Sequence, residues 1–270
     1  MYLGIDIGGT KTLLAVFDHS GRVLAEHKIL TAKTYSAFIK SIEAVLLGEL
    51  KEYEFSYCCC AVPDTTMDRK AGVVDSFGNL SWRNAPIKQD LSNLTNSATT
   101  VIENDAKLAA LFEFNIMHDV KKLLYITIGT GIGIAVITDG KIDLSAPDTG
   151  GHGVLFKHEG KLQQSEDFAS GRALAEKYGK KASQITDPGI WRIYAADLAK
   201  VLVHFIELYK PDKVVVGGGI GAHFEKFEGF LKSELLKYQG PKLAIPPVIK
   251  AQKPEEAVIY GCYEYIKQNI

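Results

Sequence analysis

Two stretches of the chain share one pattern of apolar and polar positions. The first begins at Leu3, passes through the turn Gly8-Gly9-Thr10 and continues into a second apolar segment. The other begins at Leu124, passes through Gly129-Thr-Gly131 and continues in the same way. In both, a polar turn and a third apolar segment follow. The pattern predicts a strand, a glycine turn and two more strands, and its recurrence indicates a duplicated supersecondary unit.

Helical and strand patterns fill the remaining intervals. Apolar spacing predicts helices over 36–50, 87–94, 106–114, 167–178, 190–209, 224–238 and 254–268. Short apolar runs predict strands over 55–62, 72–74, 99–103 and 213–216, with an extended segment at 246–249. Segments 79–84 and 145–165 lack periodicity, and we expect a loop in the first and a loop or small excursion in the second. Strand meanders that alternate with helices in both halves predict two similar α/β domains with a cleft between them.

Composition narrows the class of protein. The chain has 270 residues, with 31 basic and 32 acidic side chains and a formal net charge of -1. Because it has no basic block, we expect neither a nucleic-acid nor a membrane-surface partner. No apolar run approaches the ~20 residues that a membrane span needs. The first strand begins at the N-terminus and leaves no room for a signal peptide, so we expect a cytoplasmic protein.

The four cysteines are not a metal-binding pattern. Cys58, Cys59 and Cys60 are consecutive in a predicted buried strand, and Cys262 is far away in sequence. Neighbouring strand residues point to opposite faces, so three in a row cannot bind one metal ion with ordinary geometry. We interpret them as small core residues in a reducing compartment.

The two glycine turns suggest an anion site. Glycine backbone can adopt positive φ and has no Cβ, so its N–H groups can approach a phosphate closely. One such turn is equally typical of an ordinary hairpin. Two turns, with Asp6 before the first and threonines Thr10 and Thr130 within them, are stronger evidence for phosphate binding. Neither is followed by a helix, which excludes the dinucleotide-binding fingerprint and the P-loop.

The order of the polar motifs resembles that of the ROK family (repressors, open reading frames and sugar kinases) in the actin/hexokinase superfamily. The resemblance extends from residue 4 to residue 261 and rests on Asp6-x-Gly-Gly-Thr-Lys11, Glu103-Asn-Asp-Ala106, Gly129-Thr-Gly-Ile-Gly133, Gly151-His152, Ser170-Gly171 and Gly217-Gly-Gly-Ile220. Family repressors carry an added N-terminal helix-turn-helix. Because this chain begins at the first phosphate motif, we expect the kinase branch.

The resemblance implies a role for each motif residue. Asp6 would hold Mg²⁺ through water, and Asp105 would be the general base that takes a proton from a sugar hydroxyl. Sugar contacts are implied for Asn79, Asn104, His152 and Glu166. Contacts to the β- and γ-phosphates are implied for Gly8, Gly9, Thr10, Lys11, Gly129, Thr130, Gly131 and Gly133. An adenosine and α-phosphate site is implied for Gly217, Gly218 and Gly219. Ordinary helix capping by Asp105 and an ordinary turn at Gly217 are the simpler alternatives.

Two departures from the family pattern affect the expected ligands. Most family members carry a zinc-binding cysteine motif before Ser170-Gly171, but residues 157–166 contain no cysteine. We therefore expect no zinc site. The family glutamate three residues before His152 is Thr149 here, which can accept fewer and uncharged hydrogen bonds from a sugar. The identity of the sugar is therefore left open.

The sequence thus predicts a two-domain α/β protein of the ribonuclease-H-like or actin-like ATPase fold with an interdomain cleft. Residues 1–105 and 254–270 would form a sugar and phosphate domain, and residues 106–253 a nucleotide-binding domain. The expected activity is transfer of phosphate from Mg–ATP to a hexose or hexose derivative at the 6-hydroxyl. By analogy with the family, we expect the protein to be a homodimer. The alternatives are a polyphosphate-dependent sugar kinase and a non-enzymatic sugar- or nucleotide-binding protein.

Overall fold

The chain forms two compact units. The computed structural model describes residues 1–63, 66–78, 80–146 and 154–270. The first unit comprises Met1–Phe112 and Glu256–Ile270, and the second comprises Glu113–Glu255. The chain therefore crosses between the units twice, and its C-terminal segment returns to the first.

Strands occur in both units. Those of the first unit are β1 (Tyr2–Ile7), β2 (Lys11–Phe17), β3 (Val23–Leu30), β4 (Tyr57–Val62), β5 (Met67–Asp68), β6 (Val73–Phe77), β7 (Leu80–Ala85) and β8 (Thr99–Asn104). Those of the second unit are β9 (Lys122–Ile128), β10 (Ile132–Thr138), β11 (Lys141–Ile142), β12 (Leu155–His158), β13 (Lys161–Gln164), β14 (Lys213–Gly217) and β15 (Val248–Lys250).

The helices correspond in the main to the segments that apolar spacing predicts. They are α1 (Tyr35–Leu47), α2 (Ile87–Thr95), α3 (Asp105–Asn115), α4 (Glu166–Ala169), α5 (Gly171–Tyr178), α6 (Pro188–Tyr209), α7 (Gly218–Gly221), α8 (Glu228–Leu236) and α9 (Ala257–Gln268). In the part of the chain that the structure describes, no helix is long and apolar enough to cross a membrane.

The main sheets of the two units have the same topology. Their strand orders are β3-β2-β1-β4-β8 and β11-β10-β9-β14-β15. In each, an antiparallel meander of three strands is joined through its first strand to two parallel strands. This shared order confirms the predicted duplication. It places each glycine turn between the first two strands of its meander.

The cysteines lie in the core of the first unit. Cys58 and Cys60 on β4 pack into a cluster with residues of α1 and α2. Cys59 points to the other face of the sheet and packs with Cys262 of α9. All four are free and fully buried. Strand alternation therefore divides them between two apolar layers, as the sequence pattern indicated.

Two segments expected to be irregular contain strands. Residues 80–85 form β7, because Leu80 and Trp82 point into the core between exposed neighbours. The centroid of the Trp82 ring lies 4.6 Å from that of the Phe38 ring, so Trp82 packs in the core. The segment 145–165 contains the hairpin β12–β13, which turns at Glu159 and Gly160 with positive φ values of 48° and 78°.

Two segments expected to be single helices are interrupted. The segment 167–178 is divided into α4 and α5 at Ser170, whose backbone is extended and whose hydroxyl accepts a hydrogen bond from the Ala173 N–H at 3.0 Å. The segment 224–238 is divided into a 3₁₀ turn, Phe224–Lys226, and α8. Ser170 caps a new helix, a role that competes with continuing the old one.

Replacement of Gly261 by alanine is expected to destabilise the protein by about 2–3 kcal/mol. A Cβ at this position in α9 would overlap the backbone carbonyl of Leu108 in α3, so the two helices would have to separate. The matched control is Gly229→Ala in α8, where a Cβ would meet no atom within 4 Å. There, the higher helix propensity of alanine should stabilise by up to ~1 kcal/mol. Urea unfolding of both variants tests the prediction, which is wrong if the two effects have the same sign.

Candidate active site

The first glycine turn joins β1 to β2. The Gly8 N–H donates to the carbonyl of Lys11 at 3.0 Å, and a Cβ on Gly8 would lie only 2.7 Å from that oxygen. Gly9, Thr10 and Lys11 are exposed. A Cβ on Gly9 would meet no atom within 4 Å, so the backbone at the tip of the turn is open to a ligand.

Thr31 stabilises this turn by hydrogen bonds, and the sequence analysis did not identify it. Its hydroxyl donates to the Gly8 carbonyl at 2.7 Å, and its N–H donates to the Thr10 carbonyl at 3.0 Å. The hydroxyls of Thr12 and Thr31 are 3.0 Å apart. Thr31 comes directly after β3, so the meander brings it to the turn, and no local motif marks it.

Two carboxyl groups of the first unit influence each other. Asp6 lies near the end of β1, and Asp105 is the first residue of α3, directly after β8. Burial and the negative charge of Asp105 raise the pKa of Asp6 to about 7, against a smaller opposing effect of Lys28. Burial also raises the pKa of Asp105 to about 6, although the Ala106 N–H donates to its Oδ1 at 2.7 Å. Such a carboxyl group is suited to proton transfer near neutral pH.

Asn104 completes the end of β8. The residue is 6% exposed, and its Oδ1 accepts a hydrogen bond from the Lys107 N–H at 3.2 Å. Asn104 is therefore the N-cap of α3. This cap leaves Asp105 in the first helical turn, where the partial positive charge of the helix favours a carboxylate.

The second glycine turn joins β9 to β10 in the second unit. The Gly129 N–H donates to the Gly131 carbonyl at 3.0 Å, and the Gly129 carbonyl accepts from the Gly171 N–H at 2.8 Å. A Cβ on Gly171 would lie 2.7 Å from that carbonyl oxygen. The Ser170-Gly171 motif therefore supports the turn from the start of α5. Thr130 is exposed at the tip, and a Cβ on Gly129 would meet no atom within 4 Å.

Glu166 also contacts the second turn. Its Oε1 accepts a hydrogen bond from the Ile132 N–H at 2.7 Å, and a Cβ on Gly131 would overlap its carboxylate. The structure thus places the residue that we predicted to bind sugar against the backbone of a predicted phosphate turn. Gly133 is already within β10, paired with Thr127 of β9.

The third glycine stretch begins at Gly217, the last residue of β14, and lies beside the same turn. Gly217 is buried and pairs with Thr127 of β9. Gly218 has a φ of +74°, and a Cβ there would lie 2.7 Å from the backbone N and O of Ile128. Gly219 is exposed, with no atom within 4 Å of a Cβ. Glycine is therefore required at Gly218 by both conformation and close approach.

The predicted site residues are divided between the two units. Asn79, His152 and Thr149 lie outside the described residues. The structure therefore groups Asp6, Gly8–Lys11, Asn104 and Asp105 in the first unit, and the Gly129 turn, Glu166 and the Gly217 stretch in the second.

The donor atoms of the first unit fit Mg²⁺. No group of three or more His, Cys, Asp or Glu side chains that could hold a metal occurs among the described residues. Magnesium commonly takes only one or two protein carboxylates and completes its shell with water and substrate phosphate. Asp6 meets that requirement, and the repulsion from Asp105 that raises its pKa would be relieved by a nearby cation.

Comparison with known proteins decides the family. The sequence model of the ROK family matches residues 2–269. The chain belongs to the ROK family. This ROK protein is 29% identical over 232 residues to a Bacillus subtilis protein provisionally named fructokinase, a match that covers 80% of this chain and 76% of the Bacillus protein.

Solved structures give the same result for the fold. The ROK family glucokinase of Streptomyces griseus, solved with glucose and AMPPNP, matches with a TM-score of 0.83 at 24% identity over 99% of both chains. An inorganic polyphosphate/ATP-glucomannokinase from Arthrobacter matches with a TM-score of 0.71 at 27% identity, covering 100% of this chain and 99% of that one. These likenesses confirm the predicted α/β fold of the actin-like ATPases. The resemblance to the ROK family is also confirmed.

Proposed function

We propose that this ROK protein is a sugar kinase that transfers the γ-phosphoryl group of ATP to a hexose or hexose derivative at its 6-hydroxyl. Family membership and the relatives named as sugar kinases support the general activity. The observation that carries the mechanism is Asp105, a carboxyl group with a pKa raised to about 6 at the end of β8.

In the proposed reaction Asp105 is the general base. Its carboxylate takes the proton of the sugar hydroxyl as that oxygen attacks the γ-phosphorus. The new O–P bond forms while the bond from the γ-phosphorus to the bridging oxygen breaks, and ADP leaves with that oxygen. Asn104, Asn79, His152 and Glu166 would orient the sugar by hydrogen bonds. A non-enzymatic binding protein would need no base.

The glycine turns would supply positioning and charge stabilisation. Backbone N–H groups and hydroxyls of the first turn and the Gly129 turn would bind the β- and γ-phosphates, with Lys11 adding positive charge. The stretch from Gly217 to Gly219 would accept the adenosine and α-phosphate. Asp6 would hold Mg²⁺ through water, and the bound metal would offset negative charge on the transferred group.

The test is an ADP-release assay with Mg–ATP over a panel of aldoses, ketoses and N-acetylhexosamines, because Thr149 leaves the sugar undefined. Turnover with one sugar identifies the acceptor, and product analysis identifies the phosphorylated hydroxyl. No turnover across the panel, together with calorimetric sugar binding, would favour the non-enzymatic binding protein. We also expect the protein to be cytoplasmic and homodimeric, as the sequence analysis predicts.

A polyphosphate donor is the second candidate, supported by the likeness to the Arthrobacter polyphosphate/ATP-glucomannokinase. The two donors can be compared by competition in one reaction mixture with the identified sugar. An ATP-dependent enzyme keeps its rate of ADP formation when polyphosphate is added. An enzyme that prefers polyphosphate forms sugar phosphate without forming ADP.

The activity of the wild-type protein is expected to fall at acidic pH. The base must be deprotonated, and burial raises the pKa of Asp105 to about 6. We therefore expect kcat/KM for the sugar to decrease about tenfold per pH unit well below pH 6 and to level off above pH 7. A pH profile measured at saturating ATP tests this expectation. A decrease in kcat/KM centred near pH 4, where an ordinary carboxyl group titrates, would contradict it.

A further inference from the structure

Glu103 is a buried carboxylate directly before Asn104 and Asp105. Its side chain is only 1% exposed. Its Oε1 accepts hydrogen bonds from Arg69 Nη2 at 2.5 Å and from the Asn104 N–H at 2.7 Å, and its Oε2 accepts from Arg69 Nε at 2.8 Å. The Arg69 guanidinium therefore donates to both carboxylate oxygens. This bidentate arrangement is the strongest and most directional form of an arginine–carboxylate ion pair.

A third element also contacts this pair. The hydroxyl of Tyr265 in α9 donates to Glu103 Oε2 at 3.5 Å, and burial together with the nearby carboxylate raises the pKa of Tyr265. Glu103, directly before Asn104 and Asp105, is thus held by donors from two other parts of the first unit.

Arg69 adjoins the small sheet β5-β6-β7. It lies in the tight turn after β5, in which Asp68 accepts hydrogen bonds from the Ala71 N–H on Oδ1 at 2.8 Å and from the Gly72 N–H on its carbonyl at 2.7 Å. That sheet continues through β6 into β7 with the pairing Phe77↔Leu80. Asn79, the predicted sugar contact, lies in sequence between these two paired residues. The ion pair therefore connects the hairpin that carries Asn79 to the end of β8.

We propose that Arg69 and Glu103 are positioning residues, which hold the β5-β6-β7 sheet and the Asn104–Asp105 segment in one fixed arrangement so that the sugar hydroxyl is aligned with the base. The inference rests on the proposed sugar kinase function. Small displacements between a reacting hydroxyl and its base cost about 10²-fold in rate. Loss of the pair should therefore lower kcat much more than it weakens sugar binding.

The test compares Arg69→Met with the double variant Arg69→Met/Glu103→Gln. The single variant leaves a carboxylate buried without its main partner, which also costs stability. The double variant removes that charge, and the glutamine oxygen can still accept the Asn104 N–H. We expect kcat to fall at least tenfold in both variants, with the KM for sugar changed less than about threefold.

The matched control is Arg83→Met in β7 of the same sheet. The Arg83 guanidinium donates to the carbonyls of Leu80 at 3.1 Å and Trp82 at 2.6 Å, within its own strand. We expect this variant to keep kcat within about twofold of wild type. The proposal is overturned if the folded double variant has wild-type kcat, or if Arg83→Met loses as much activity as Arg69→Met.

Hydrogen exchange gives a readout that does not depend on activity. We expect peptides covering 66–78 and 99–106 to exchange at least threefold faster in the Arg69 variants and to be unchanged in Arg83→Met. If the wild-type protein phosphorylates no sugar, the proposed function fails, but faster exchange would still support the structural connection. Unchanged exchange in both peptides overturns the connection, whatever the activity.

Discussion

Replacing Asp105 with asparagine is expected to lower kcat about 10²- to 10⁴-fold with the preferred sugar, because the variant has no group to accept the hydroxyl proton. Asparagine keeps nearly the same shape, and its oxygen can still accept the Ala106 N–H that Asp105 Oδ1 accepts at 2.7 Å. The affinity for sugar, measured by calorimetry, should therefore change little. A steady-state comparison of kcat and KM measures the effect.

The same substitution is expected to stabilise the protein at neutral and alkaline pH. The pKa of Asp105 is raised to about 6 from 3.8, so the folded state binds the proton more tightly than the unfolded state does. The stability contribution of this group is therefore highest below pH 4 and is lost as the pH rises to about 6. A two-unit shift corresponds to about 3 kcal/mol, which Asp105→Asn would recover at pH 8.

Asp90→Asn is the control for this experiment. Asp90 is also an aspartate in the first turn of a helix, and it accepts a hydrogen bond from the Tyr35 hydroxyl at 2.6 Å. Its replacement should leave kcat close to wild type. If Asp105→Asn loses activity while its thermal stability rises, the role of Asp105 is catalytic and not one in folding. Activity within about fivefold of wild type in Asp105→Asn would require a different base.

The sequence predicts the repeated framework well because local patterns determine it. Apolar alternation around each glycine turn marks the meanders, and the amphipathic stripe of α6 marks a helix that the structure has at Pro188–Tyr209. Both signals lie within short windows of sequence. The same holds for the junction between a strand and a helix at residues 104–106, where the structure has Asn104 as the N-cap.

The errors arise where contacts distant in sequence determine local structure. Strand β7 has a mixed polar sequence, and burial of Trp82 against Phe38 stabilises its extended form. The break at Ser170 is similar, because the following Gly171 N–H donates to Gly129, 42 positions earlier in the chain. A helical pattern read along the segment alone contains no information about that partner.

The residues that stabilise the candidate site were not predicted either, because contacts distant in sequence bring them there. Thr31 braces the first turn through the meander, and Arg69 reaches Glu103 across 34 positions. Neither residue is part of the motif that it supports. The motif residues could be predicted as candidates from the sequence, because phosphate binding and proton transfer require particular residue types at particular strand ends.

The phosphate role of the glycine turns has a sharp test, in which Gly9→Ala and Gly129→Ala are each expected to lower kcat/KM for ATP about 10- to 100-fold. A Cβ at either position would meet no protein atom within 4 Å, and neither residue has a positive φ that alanine would resist. The fold should therefore tolerate both changes, with Tm within about 2 °C of wild type. The added methyl group would occupy the space in which a phosphate approaches the backbone N–H groups.

Gly229→Ala is the matched control, because a Cβ there also meets no atom within 4 Å but the residue is in α8, outside both turns. It should keep wild-type kcat/KM for ATP. Sugar affinity measured by calorimetry should be unchanged in all three variants, which would confine the defect to the donor. If the two turn variants bind and use ATP as well as Gly229→Ala does, these glycines serve hairpin geometry alone, and the phosphate must bind elsewhere.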